Sequence, residues 1–161
     1  MSNLLAKKSV QLVKNYIETL DINLQLIELD STARTAQDAA NSLNQEVGSI
    51  VKSLLFRSSE NEFYLCLVSG DKYLSTEKVA AITGNKIIKS SADEVKKQTG
   101  FSIGGVSPFA HLIPPNRIFI DKNLNRFDMV YAAAGHPYVV FGITYLDLLN
   151  TTLAEEKVIT E

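Results

Sequence analysis

Cysteine and histidine are scarce in this chain, and their scarcity limits the chemistry it can support. Its 161 residues include one cysteine and two histidines. Because Cys66 has no second cysteine to pair with, an internal disulfide is excluded, which indicates a reducing compartment. A tetrahedral zinc site draws on clustered cysteine and histidine ligands, whereas His111 and His136 lie well apart in the sequence. We therefore expect no metal and no cofactor.

Long apolar runs and an excess of positive charge are also missing. No stretch approaches the length of apolar sequence that crosses a bilayer. Lysines interrupt the apolar pattern of the first segment, MSNLLAKKSVQLVKN, unlike a secretory signal. The formal net charge of −2 argues against a protein that grips long stretches of nucleic acid, although a single nucleotide end needs only a few cations. These absences predict a cytoplasmic protein that contacts no membrane.

Several motifs that mark well-known active sites are absent as well. The chain contains no GxxxxGK[ST] phosphate loop and no GxGxxG after a predicted strand. Ser107 does not stand in a GxSxG elbow, which argues against a serine nucleophile at that position. The remaining candidates are a few polar residues set among apolar ones.

Hydrophobic periodicity, capping residues and turn signals predict a series of short elements. Thr35 with Asp38, and Ser91 with Glu94, have the spacing of helix N-terminal caps. Two apolar stretches around the polar turn RSSENE predict a hairpin. The predicted helices cover residues 5–20, 35–44, 75–83, 91–100 and 145–149, and the predicted strands cover residues 24–29, 49–56, 63–68, 86–89, 117–121, 127–133 and 138–141.

These elements predict one domain over residues 1–161, because no repeat, low-complexity tract or linker divides the chain. Adjacent strand pairs with interspersed helices favour an α+β or mixed α/β class with a curved sheet, rather than regular βαβ alternation. The polar tail, residues 151–161, is expected to fray.

The segment 100–115 reads GFSIGGVSPFAHLIPP and predicts a shaped loop. Gly104 and Gly105 let the backbone approach a ligand without an intervening side chain. Pro108, Pro114 and Pro115 each fix their own φ angle and restrict the residue before them. For the loop taken in isolation, an ordinary connector is an equally good interpretation.

Lys52 and His136 are the two polar residues whose surroundings are most unusual. Lys52 lies in the apolar stretch of a predicted strand, where it shares a face with Ile50 and Leu54 and borders a cavity if that face is buried. A lysine that extends to solvent from a strand edge is the alternative. His136, within AAAGHPYVV, has the chemistry of a ligand donor or an acid–base group, or it is a turn histidine facing water.

The order and spacing of these pieces resemble the YbaK/ProX family of aminoacyl-tRNA editing domains. The resemblance runs from about Thr32 to Leu149 and rests on three segments, TARTAQDAANSLNQEVGSIVKSLLF, TGFSIGGVSPFAH and VYAAAGHPYVVFGIT. It implies a single domain with a mixed, strongly curved sheet flanked by helices. It also implies a free-standing, trans-acting enzyme that hydrolyses the ester of a mischarged tRNA, such as a proline tRNA carrying alanine.

The resemblance also assigns roles to residues. Lys52, the GxxxP loop that begins at Gly104, and His136 would be the catalytic groups. Lys52 would place the terminal adenosine or its phosphate, the loop would bind the carbonyl, and water would attack with help from the substrate's 2′-hydroxyl. The expected contacts to the substrate are Gly105, Val106, Ser107, Pro108, Phe109, His111 and Gly135.

Two other functions stay open, and so does the set of partners. One alternative keeps the family and changes the substrate to a proline tRNA carrying cysteine. The other is a module that binds the tRNA end or a synthetase without catalysis. The expected partners are the 3′ end of an aminoacyl-tRNA and a prolyl-tRNA synthetase that delivers it, and the oligomeric state is not readable from the sequence.

Overall fold

This computed structural model describes residues 3–30 and 33–161, and these residues form five α-helices and eight β-strands. Three short 3-10 turns, Leu4–Ala6, Val47–Ser49 and Lys122–Arg126, complete the regular structure. Thr32, where the family resemblance begins, lies outside the described residues. The helices are α1 (Lys8–Glu18), α2 (Ala36–Leu43), α3 (Thr76–Thr83), α4 (Ala92–Thr99) and α5 (Tyr145–Thr152), and the strands are β1 (Leu26–Glu28), β2 (Val51–Ser58), β3 (Phe63–Ser69), β4 (Ile87–Lys89), β5 (Arg117–Asp121), β6 (Met129–His136), β7 (Val139–Thr144) and β8 (Glu155–Lys157).

The strands divide between two sheets. A five-stranded mixed sheet has the order β4-β2-β3-β5-β8, in which β5 runs parallel to both β3 and β8. A three-stranded antiparallel sheet has the order β1-β7-β6. An isolated parallel bridge between Ile50 and Tyr131 links the two sheets. The predicted α+β class and the predicted β2–β3 hairpin are confirmed, while the expected strong curvature stays a prediction.

Local sequence signals determine where the helices begin and end. The Thr35 and Ser91 side chains each accept a hydrogen bond from the backbone N–H three residues on, and each helix has a complete capping box. Gly84 and Gly100 end α3 and α4 with φ angles of 75° and 82°, which non-glycine residues rarely adopt. None of the helices within the described ranges is both long and apolar enough to cross a membrane.

Apolar residues pack on both faces of the five-stranded sheet. The larger cluster joins Val51 and Leu55 of β2 to α1, α4 and the three-stranded sheet. The smaller cluster lies on the opposite face and includes Phe56, Val79 of α3 and Cys66. Burial raises the pKa of Cys66 to about 12, which agrees with a side chain that serves the core.

The tail is not frayed, and that prediction is wrong. β8 pairs with β5 in parallel, and Ile159 and Thr160 expose only 0% and 2% of their surface. Ile159 N–H donates to a carboxylate oxygen of Asp121 over 2.9 Å. The polar composition of the tail concealed this arrangement, because backbone hydrogen bonds and two buried side chains, those of Ile159 and Thr160, hold the segment.

Candidate active site

A cavity of about 280 Å³ opens between β2, the start of α2, β6 and the loop at residues 103–106. Apolar side chains supply most of its wall, among them Val51, Leu55 and Val95. Six residues bring the polar or backbone groups that matter below: Lys52, Ser53, Ser90, Gly104, Val106 and Pro137. Small, mostly apolar clefts with a few polar groups are the usual form of ligand sites.

The cavity exists because β2 lacks a partner strand along part of one edge. β4 pairs only with residues 56–58, and Ser90 N–H then donates to Leu55 O. Hydrogen bonds at Ile50 and Ser58 show that even-numbered residues of β2 direct their backbone groups toward β3. The N–H and C=O of Ser53 therefore face the edge of β2 that lies beyond the residues paired with β4.

Lys52 lines this cavity in a half-buried position. Its Nζ donates to Lys72 O over 2.6 Å and lies 5.3 Å from the ring centroid of Tyr73. Burial lowers the pKa of Lys52, and the nearby Asp71 carboxylate opposes that shift. The ammonium group is thus held by the Lys72 carbonyl rather than extended freely into solvent.

The GxxxP loop meets the cavity through Gly104 and Val106. The Gly105 N–H donates to Ser102 O over 2.9 Å, whereas those of Gly104 and Val106 have no hydrogen-bond partner among the described residues. A Cβ atom at Gly105 would lie 2.9 Å from the His136 Cα, so this glycine permits the loop to pack directly on the His136 backbone. Two residues of the cavity wall therefore carry N–H groups without a partner among the described residues.

His136 ends β6 beside the cavity, and its neighbour Pro137 lines the wall. The His136 Nδ1 accepts a hydrogen bond of 3.1 Å from the Tyr138 N–H, which places the proton of the neutral ring on Nε2. Partial burial, followed by the charge of Lys7, lowers the pKa of His136. Gly135 (φ 90°) packs against α1, where an added Cβ would overlap Ser9 O.

Of the seven expected substrate contacts, Val106 alone is among the described residues that line the cavity. Gly105 and Gly135 pack on neighbouring backbone, and the other four lie behind the wall. Phe109 stacks between Tyr16 and Phe141, with ring centroids 4.8 and 5.3 Å away. His111 Nε2–H donates to Ser107 O over 2.6 Å, and burial lowers the pKa of His111. Ser107 is fully buried and Pro108 is buried beside it. These residues support the loop from the core side.

Sequence reasoning missed the hydroxyl groups of Ser53 and Ser90. Both residues line the cavity, and both Oγ atoms are buried without a hydrogen-bond partner. It also missed two cations on the wall, Arg34 and Lys89, while no described residue lining the cavity is acidic. Only the edge position of Ser53, one residue after Lys52, offered a signal in the sequence. The described residues contain no cluster of three metal-ligating side chains.

Residues 30–151 match the family model for the aminoacyl-tRNA editing domain. That range holds Lys52, the loop at 104–108 and His136, and it leaves α1 and β8 outside. The match confirms the resemblance found in the sequence.

Similarity to individual proteins also supports membership of this family. The uncharacterized protein YwhH of Bacillus subtilis (strain 168) is 30% identical over 127 residues, which are 79% of this chain and 80% of that protein. A solved structure of a protein proposed to be a trans-editing enzyme for prolyl tRNA synthetase superimposes with a TM-score of 0.91 at 36% identity, covering 96% of this chain and 98% of that one. The proline–tRNA ligase of Thermosipho africanus (strain TCF52B) is 36% identical over 76 residues, which are 47% of this chain and 13% of the ligase.

Proposed function

The chain belongs to the aminoacyl-tRNA editing domain family and is an aminoacyl-tRNA hydrolase, and from that premise we propose that it removes a wrong small amino acid, such as alanine, from a proline tRNA in trans. The similarity to proline–tRNA ligases and to a protein proposed to edit for prolyl tRNA synthetase supports this tRNA. A prolyl-tRNA synthetase is accordingly the partner that we propose for delivery of the substrate.

One observation carries the mechanism: Lys52, Gly104 and Val106 line the same small cavity, and the Gly104 and Val106 N–H groups have no hydrogen-bond partner among the described residues. An aminoacyl ester is already reactive, so the protein must hold the carbonyl and stabilise the developing oxyanion. The two N–H groups are the donors for that oxygen. Lys52 binds the phosphate or ribose of the terminal adenosine.

Water is the nucleophile in this mechanism, with the substrate's 2′-hydroxyl assisting. His136 orients the ribose or the amino acid through its Nε2–H, because its Nδ1 is already engaged by the Tyr138 N–H. The hydroxyls of Ser53 and Ser90 are acceptors for the α-amino group, since no carboxylate lines the described cavity to serve that purpose. Because both Oγ atoms are buried in the free protein, this role requires each hydroxyl to turn about χ1 to another staggered position.

The cavity wall favours a small side chain on the substrate. Ala33, Ala36 and Ala39 form one part of it and Ala133 another, within a volume of about 280 Å³ that must also admit the ester. Apolar walls of this kind separate side chains that differ by one methylene only about 10- to 200-fold. Alanine and cysteine are therefore close competitors, and the comparison between them is part of the test.

The decisive experiment is deacylation of tRNAs charged with alanine, serine, cysteine, threonine or proline. We expect release from alanine-charged proline tRNA, and a loss of about tenfold or more in Lys52→Ala, because a charge-assisted contact disappears. Lys122→Ala is the matched control, since Lys122 is exposed and lies on a 3-10 turn outside the cavity.

Each outcome has a distinct meaning. Preferred release of cysteine would replace the alanine assignment with the cysteine alternative. Full activity of Lys52→Ala would remove the role of the lysine. Absence of turnover with every charged tRNA, together with measurable binding of the tRNA end, would support the non-catalytic module.

A further inference from the structure

We propose that the ring of Tyr73 is a stacking platform for the base of the substrate's terminal nucleotide. This inference rests on the proposed function, because it assigns a place to the part of the tRNA end that remains outside the cavity. It adds a binding surface that neither the GxxxP loop nor His136 provides.

Tyr73 is the most conspicuous aromatic side chain on the surface. Its relative exposure is 75%, and it is the only aromatic among the large apolar side chains that the described residues expose. One face of the ring lies over the Lys52 ammonium, with Nζ 5.3 Å from the centroid. Lys52 lines the cavity and Tyr73 does not, so the exposed ring lies next to a residue of the cavity wall.

The backbone beneath Tyr73 is fixed from two sides. Glu161 N–H donates to Tyr73 O over 2.9 Å, and Ser75 N–H donates to Ile159 O over 2.8 Å. On the other side, Asp71 accepts two hydrogen bonds from Arg126, of 2.8 and 3.1 Å. A backbone held this way needs no reordering when a ligand binds to the ring, which favours affinity.

A nucleotide base fits this position better than other ligand groups. Stacking of a base on an aromatic ring contributes about 1–3 kcal/mol and needs no sequence-specific hydrogen bond. The cation on the inner face and Lys72 beside it suit the phosphate that accompanies the base. When the ester carbonyl sits at the GxxxP loop, ribose and base must extend out of the cavity, and Tyr73 is the exposed ring beside its lysine.

The chain contains no tryptophan, so Tyr73→Trp creates a single fluorescent reporter at the platform. We expect its fluorescence to be quenched by the trinucleotide CCA and much less by the same trinucleotide with an abasic terminal residue. Leu146→Trp, at an exposed position on α5, is the control and should respond to neither. Equal quenching by both probes, or none by CCA, would overturn the proposal.

Kinetics supply the second arm. Tyr73→Ala should raise KM for the charged tRNA about tenfold with kcat little changed, and Tyr73→Phe should behave like the wild type. If the ring only covered Lys52, Tyr73→Ala would instead change KM equally for substrates with and without a terminal base. If the wild type hydrolyses no charged tRNA, the proposed function fails, but base-dependent quenching at position 73 still reports on the platform.

Discussion

At the scale of single residues, Ser53 and Ser90 show how an unmet hydrogen bond can mark a site. A buried hydroxyl without a partner has lost its hydrogen bonds to water and formed none within the protein, which lowers the stability by about 1–3 kcal/mol. Two such groups in one cavity are easiest to understand if a ligand supplies the missing bonds. The Oγ of Ser69 on β3 is also buried without a hydrogen-bond partner, but Ser69 does not line the cavity.

Substitution of these serines by alanine should separate stability from activity. Ser53→Ala and Ser90→Ala should leave the free energy of unfolding unchanged or slightly higher, because no bond is lost in the free protein. Each should lower kcat/KM about threefold to tenfold, because a bond to the substrate is lost. Ser69→Ala should match them in denaturation experiments and keep full activity. Equal activity in all three variants would contradict the interpretation.

His111 should make stability depend on pH. Burial lowers its pKa below the ordinary value of 6.5, and a proton added to Nδ1 would be buried without a partner. The folded state then binds fewer protons than the unfolded state, so stability is complete above pH 6.5 and falls as the pH drops through the lowered pKa. His111→Gln should reduce this slope in pH-dependent denaturation. A residual slope is expected from His136, whose pKa is also lowered.

At the scale of elements, the contact between the GxxxP loop and the end of β6 governs the site. Gly105 allows this contact because a Cβ there would lie 2.9–3.1 Å from backbone atoms of Gly135 and His136. Backbone cannot move aside as a flexible side chain can. The position of the free Gly104 and Val106 N–H groups therefore depends on Gly105, whose own N–H is already bonded to Ser102 O.

Gly105→Ala should displace the loop. We expect a loss of about 1–3 kcal/mol in unfolding free energy from the overpacked contact, with at least a tenfold loss of kcat/KM. Gly84→Ala is the control, because its Cβ would meet nothing within 4 Å and only its φ of 75° is unfavourable. It should cost about 1–2 kcal/mol and leave turnover unchanged. Normal activity in Gly105→Ala would show that the loop does not need this contact.

The elements themselves were largely readable from the sequence, because caps and turns are local. α2, α3 and α4 begin and end within one residue of the predicted bounds, at sites set by Thr35, Gly84 and Gly100. β6 extends to His136, beyond its expected end at Ala133, through a register irregularity that Gly135 accommodates. Division into two sheets was not predicted, because strand pairing depends on contacts distant in sequence.

At the scale of the whole molecule, the site was predictable only in part. Lys52, Gly104 and Val106 do meet at one cavity, as the family resemblance implies. Phe109 and His111 were expected there too, but the spacing of apolar residues in a sequence does not distinguish residues of a cavity wall from residues of the core behind it. The formal net charge of −2 likewise concealed that Lys52, Arg34 and Lys89 all border the cavity.

The pairing of the tail with the segment before α3 has a consequence for the time at which the protein becomes active. Residues 159–161 hold the backbone on both sides of Leu74, and Lys52 is bonded to that same segment through Lys72 O. During synthesis the lysine and the GxxxP loop emerge from the ribosome well before these residues do. We therefore expect the surroundings of Lys52 to be complete only once residues 159–161 have left the ribosome and paired with this segment.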